Sequence, residues 1–163
     1  MKEKILIVSS EFPPEPGGIG NHAFNLALQL SLNNFDVEVI ADERVFESDT
    51  EKLFDTEQPF KIVRTKIKRI RFLMYFTRLL QVLKSVSKSK TVIASGKFSL
   101  WVVALSTFLY KRNFIAVVHG SEVNFKKTLL KNSIHLSLQR FRKVIAVSHY
   151  TKSLVAQLNL DNI

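Results

Sequence analysis

The sequence predicts an α/β protein: a doubly wound, mainly parallel sheet of about six strands, with helices on both faces. Three observations carry this. Short runs of consecutive apolar residues, rich in Val, Ile and Ala, recur along the chain, as strands buried on both faces require. Stretches with helical spacing of apolar residues return between them. The length of 163 residues fits one domain, 1–163, and 46% of them are hydrophobic, enough to build a core.

Lys4–Ser10 (KILIVSS) is the first predicted strand. Glu11–Gly20 follows as a loop, because its three prolines and three glycines oppose regular structure. Asn21–Asn34 reads as a helix with Phe24, Leu26, Ala27, Leu28 and Leu30 on a wide apolar face, and Val37–Ala41 is the second strand. Asp42–Gln58 lacks clean periodicity and reads as a surface excursion. Phe60–Arg64 fits a third strand. In the helix expected over Ile70–Ser87, Leu73, Phe76, Leu80, Leu83 and Val86 fall on one side, and Arg78, Gln81, Lys84, Ser85 and Lys88 on the other. Thr91–Ser95, Phe114–Val118 and Lys143–Val147 are the remaining strands. Leu100–Tyr110, Leu129–Arg140 and Tyr150–Leu158 are the remaining helices, the last with Ser148 as its cap. Strands alternating with helices imply right-handed crossovers and a Rossmann-like parallel sheet.

Charge is unevenly spread. Asp36–Glu57 holds nine of the 14 acids, whereas Lys61–Lys90 holds ten Lys or Arg and no acid, an excess equal to the net +10 of the chain. Such a segment suits an anionic partner, or a solvated basic face. Its helix has three readings. The apolar stripe can pack on the sheet. It can instead enter a membrane surface, with Phe72 and Phe76 in the interface and Lys68, Arg69, Arg71, Arg78 and Lys84 on anionic headgroups. Nucleic-acid binding lacks any reader motif, so no nucleic-acid partner is expected. Cysteine is absent, which removes disulfides and thiolate metal sites. Neither a signal peptide nor a run of about 20 apolar residues is visible. The expected location is the cytoplasm, with peripheral contact at the inner face of the cytoplasmic membrane.

Ligands of such sheets bind beyond the carboxyl ends of the strands. That rule selects the loops Glu11–Gly20, Ser95–Lys97 and His119–Glu122. Gly17, Gly18 and Gly20 stand between a strand and a helix start, where free N–H groups favour an anion such as a diphosphate. The same residues fit a plain glycine turn, and they form neither G-x-G-x-x-G nor a P-loop. His119 ends a buried strand beside Gly120. It can hydrogen-bond a reacting group or relay a proton, or it can merely hold its loop. His22, in the turn after the glycines, can line the same crevice. Glu11 and Glu122 are acids near it, and Ser148 lies after the last strand. The four histidines have no metal-ligand spacing, so no metal is expected.

Three segments together resemble the amino-terminal domain of glycosyltransferase family 4: KILIVSSEFPPEPGGIGNHAFNLALQL, VVHGSEV around His119, and KVIAVSHYTKSLV. The resemblance covers essentially the whole chain. It implies one half of a GT-B fold, in which two Rossmann-like domains face a cleft and move a sugar from a nucleoside diphosphate to an acceptor with retention. Gly17, Gly18 and Gly20 then meet the donor's diphosphate or sugar, and His119 lies beside the transferred sugar. Glu11, His22, Gly120, Glu122 and Ser148 are candidates for the acceptor side. The donor is a UDP or GDP sugar, with no covalently bound cofactor. The acceptor is a glycan or lipid-linked intermediate of cell-surface polysaccharide synthesis, and the basic segment is a membrane surface. The family's carboxy-terminal domain, with an Arg/Lys pair for the diphosphate and E-x7-E acids for the sugar, is not in this sequence. The expectation is an inactive half-enzyme whose main partner is that second domain. The alternative is a non-enzymatic lipid-, glycan- or partner-binding module that uses segment 61–90.

Overall fold

A computed structural model describes residues 2–123, 128–158, 160 and 163, without the side chains of 71 and 128. Its elements are β1 (Lys4–Ser9), α1 (Gly18–Leu32), β2 (Asp36–Asp42), α2 (Asp49–Thr56), β3 (Lys61–Thr65), α3 (Arg71–Val86), β4 (Thr91–Ser95), α4 (Lys97–Ser106), β5 (Asn113–Val118), α5 (Thr128–Leu138), β6 (Lys143–Ala146) and α6 (His149–Ala156). The six strands form one parallel sheet in the order β3-β2-β1-β4-β5-β6.

Strand alternation splits the core into two layers. Leu6 and Val8 of β1 face one way, with Val92, Ala94, Phe114 and Ala116, onto Val82 and Val86 of α3 and Leu100 and Val103 of α4. Ile5 and Ile7 face the other way, with Val37 and Val39, onto Ala23 and Ala27 of α1. β1 is the centre of both layers: Leu6, Ile7 and Val8 are at most 1% exposed. Truncating such a side chain costs about 2–5 kcal/mol.

Besides α4, which starts three residues before the expected Leu100 and ends four before Tyr110, the structure departs from the sequence reading in three places. First, α1 begins at Gly18, three residues early, because Gly20 packs against the loop backbone. A Cβ on Gly20 would lie 3.0 Å from Glu11 C and Phe12 N, so tertiary packing overrides glycine's poor helix propensity.

Second, the acidic stretch is not a bare excursion. It contains α2, capped where Glu51 N donates to Ser48 Oγ (3.2 Å). Glu51 is buried, and it accepts from Arg44 N (3.0 Å) and Arg64 Nη1 (3.1 Å). Arg64 also grips Asp55 through Nε and Nη2, both at 2.8 Å. Removing one partner from such a buried pair costs about 3–5 kcal/mol, because the other charge is stranded.

Third, α3 is rotated about its axis from the expected facing. Arg78 and Ser85, expected on the outer face, are buried, while Phe72, Leu73, Phe76 and Leu80 are 45–73% exposed. Arg78 therefore cannot serve as a membrane-surface residue. It pairs with Asp42 and stacks on the Phe98 ring at 4.0 Å, and Ser85 Oγ donates to the buried Glu38 at 2.9 Å. These partners, on β2 and α4, draw Arg78 and Ser85 inward, while Lys84, Lys88 and much of the apolar stripe are left outside. The Arg71 side chain lies outside the described residues. Among the described residues, no helix is long and apolar enough to cross a membrane.

Candidate functional site

The strand order reverses between β1 and β4, and the loops that leave them diverge to opposite faces. This opens a crevice at the carboxyl edge of the sheet. Its first wall is the turn from β1 into α1. Two arginines hold that turn by its carbonyls: Arg64 Nη2 donates to Pro13 O (2.5 Å), and Arg44 Nη1 to Pro16 O (2.8 Å). The three glycines in it differ in role. A Cβ on Gly17 would meet Glu11 Oε2 at 2.5 Å, so the Glu11 carboxylate lies directly against this residue. Gly20 is needed for helix-to-loop packing, as described above. A Cβ on Gly18 would meet nothing within 4 Å. Gly18 thus opens the first turn of α1, whose N–H groups lack helical partners, to free space.

The second wall is the turn from β4 into α4. Gly96 caps the helix at φ +87°, a conformation glycine adopts without strain, and its Cα faces Ser10 Oγ and Ile19. Two helix N-termini therefore flank the crevice. The third wall is the loop after β5. Gly120 takes φ +106° and packs against Thr151 in the first turn of α6. Ser148 caps α6, accepting from Thr151 N at 3.1 Å.

His119 stands among these walls. Its ring meets His22 of α1 edge-on, with centroids 5.0 Å apart, and its Nε2 lies 3.0 Å from Ser95 Oγ. Burial lowers the His119 pKa to about 4. Repulsion from the neighbouring His22 adds to this, and the Glu11 carboxylate opposes it. The ring is therefore neutral at pH 7. Glu122 is buried and turned back on its own loop: Oε2 accepts from His119 N (3.1 Å) and Ser121 Oγ (3.3 Å). It braces the histidine. The structure thus gathers Glu11, Gly17, Gly18, His22 and His119 at one crevice, with Glu122 and Ser148 in its supports. No group of three or more potential metal ligands occurs among the described residues.

The basic segment lies elsewhere on α3 and the chain leading into it. Lys68, Arg69, Phe72, Phe76 and Lys84 are exposed, and Lys68 Nζ donates to Thr77 Oγ1 at 2.8 Å. Sequence reasoning placed Ser95 in a crevice loop without giving it a role, and it missed the two loop-holding arginines. Ser95 had one available signal, its place as the last residue of a strand at the predicted crevice. Arg44 and Arg64 had none, because their carbonyl acceptors are distant in sequence.

A family model described as Glycosyltransferase Family 4 matches residues 16–163. No curated protein matches the chain in sequence. Solved structures do. The Anabaena protein HepE, in complex with UDP and glucose, superposes with a TM-score of 0.71 at 18% identity, over 97% of this chain and 42% of its own. A glycosyltransferase from Rickettsia africae gives 0.71 at 18% identity, over 98% and 41%. UDP-GlcNAc 2-epimerase from Methanocaldococcus jannaschii gives 0.64 at 15% identity, over 99% and 43%. The chain spans about two fifths of the length of these structures. At such identities the likeness is one of fold.

The geometry around His119 makes stability depend on pH. Its pKa is 6.5 in the ordinary state and about 4 when folded, so between these values the unfolded chain binds a proton that the folded ring lacks. Stability should rise with pH from about 4 to 6.5, and the contribution should be complete above that window. Urea titrations between pH 4 and 7 should show a shallower slope in His119→Gln. An unchanged slope would place the His119 titration at its ordinary value.

Proposed function

The chain belongs to glycosyltransferase family 4, and from that premise we propose that it is the acceptor-side half of a retaining glycosyltransferase. The same fold serves an epimerase as well as transferases. Fold alone therefore does not choose between chemistries. The family match supports sugar transfer, and the open Gly18 turn at the crevice that holds His119 is the observation in this chain that goes with it. The donor is a nucleoside-diphosphate sugar. UDP is bound in the HepE structures and is the first candidate, with GDP second. Gly17 and Gly18 let the donor's diphosphate or sugar approach the N-terminus of α1, and His119 lies beside the transferred sugar. Glu11 and His22 border the acceptor side. No step requires a metal.

The complementary wall belongs to a second, carboxy-terminal domain. It supplies an Arg/Lys pair that neutralises the leaving diphosphate and E-x7-E acids that hold the sugar. Stabilising that developing charge is usually the largest catalytic contribution, so this half alone does not turn over. The acceptor is a glycan or a lipid-linked intermediate of cell-surface polysaccharide synthesis on the cytoplasmic side. The apolar stripe of α3 with Lys68, Arg69 and Lys84 contacts an anionic membrane there. The exposure of Phe72 and Phe76 also favours a second reading, a non-catalytic module that uses the same face.

Two experiments separate these readings. The full-length protein should transfer sugar from a UDP or GDP donor with retained anomeric configuration. His119→Ala should lower kcat by about 100-fold or more, the range of a positioned hydrogen-bonding or proton-transfer group. Transfer unaffected by His119→Ala would remove His119 from the site, and efficient transfer by residues 1–163 would refute the half-site. Vesicles rich in anionic phospholipid should co-sediment the chain. Lys68→Glu with Arg69→Glu, or Phe72→Ser with Phe76→Ser, should abolish this. Unchanged binding would remove the membrane contact.

A further inference from the structure

His119 could act in its crevice as a hydrogen-bond donor, an acceptor or a base. Which of these it can be depends on where its one proton sits at neutral pH. The surroundings decide this at Nε2. Ser95, at the end of β4 and beside Ser9 of β1 and Val117 of β5, is 2% exposed, and its Oγ is 3.0 Å from His119 Nε2. Among the described residues, Ser95 Oγ has no other hydrogen-bond partner, and His119 Nδ1 has none at all. His119 Nδ1 is also not among the enclosed, unpaired nitrogens, in contrast to His22 Nδ1.

Two arrangements fit the 3.0 Å contact. If Nε2–H donated to Ser95, the serine's own hydroxyl hydrogen would be buried without an acceptor. If Ser95 donates to Nε2, only oxygen lone pairs go unused. Buried orphan donors are rarer in folded proteins than under-used acceptors, so the second arrangement is favoured. We infer that Ser95 is a positioning residue that donates its hydroxyl to Nε2 and so fixes His119 as the Nδ1–H tautomer. The ring nitrogen left for a ligand is then an N–H donor. His119 hydrogen-bonds an oxygen of the sugar or acceptor and does not remove the acceptor's proton. This assignment rests on the reading of the crevice as a sugar site only for what the donor meets. The tautomer itself belongs to the chain without ligand.

The test is nitrogen NMR of the chain labelled at histidine, at pH 7. The His119 signals are identified by their loss in His119→Gln. In the unsubstituted chain, Nδ1 should resonate as a protonated, pyrrole-type nitrogen and Nε2 as a bare, pyridine-type nitrogen. Ser95→Ala should move the ring toward the Nε2–H form that free histidine prefers. Ser95→Thr, which keeps the hydroxyl, should retain the native pattern. A protonated Nε2 in the unsubstituted chain would overturn the inference, as would a Ser95→Ala spectrum unchanged from it. The first comparison needs no variant, so misfolding of Ser95→Ala leaves the inference testable. Sugar transfer by the full-length protein is measured separately. Loss of the tautomer assignment and loss of the transferase reading are therefore distinguishable.

Discussion

All six strands run the same way, and the chain crosses back over the sheet between β3 and β4 to lie on the far side of β1. Much else follows from that constraint. Parallel neighbours need crossover helices, so β1 is covered on both faces and carries residues of both core layers. The loops after β1 and β4 are sent to opposite faces, and the gap between them cannot be closed by either helix. The crevice is a product of topology. The residues around it then determine which ligand it suits.

Rigidity there is obtained from charge buried nearby. The Pro-rich turn has no secondary structure of its own, yet it must present Gly18 at a fixed place. Arg64 and Arg44 hold it by the carbonyls of Pro13 and Pro16, and Glu51 and Asp55 of α2 hold Arg64. The acidic stretch thus acts through the arginines on the glycines. On the other side of the crevice, Glu122 ties down the His119 backbone. Glu51 and Glu122 are almost fully enclosed, and their function is positional.

Much of the fold could be read in the sequence, for a physical reason. A strand buried on both faces must be apolar at consecutive residues, so KILIVSS, TVIAS and FIAVV declare themselves. Amphipathic helices were harder. The spacing in α3 did not show which stripe turns inward, because that depended on Asp42, Phe98 and Glu38, which lie on other elements. α2 was hidden because its one buried side chain is a glutamate, which no hydrophobic pattern reports. At the site, Gly17, Gly18 and His119 were legible because the βα turn and the end of β5 have fixed places in such sheets. The Ser95 contact with His119 is a pairing across strands, and a single sequence holds no trace of it.

The central claim is that these 163 residues make one wall of a two-walled transferase. It is tested most directly by the mass of the native polypeptide in its source cell, read with an antibody against this domain. A species of about twice the 18.7 kDa of this chain is the predicted result, because the proposed transferase has a second Rossmann-like domain of similar size facing the crevice. A species of 18.7 kDa alone, with no co-purifying second domain, would contradict the account and leave a binding module in its place.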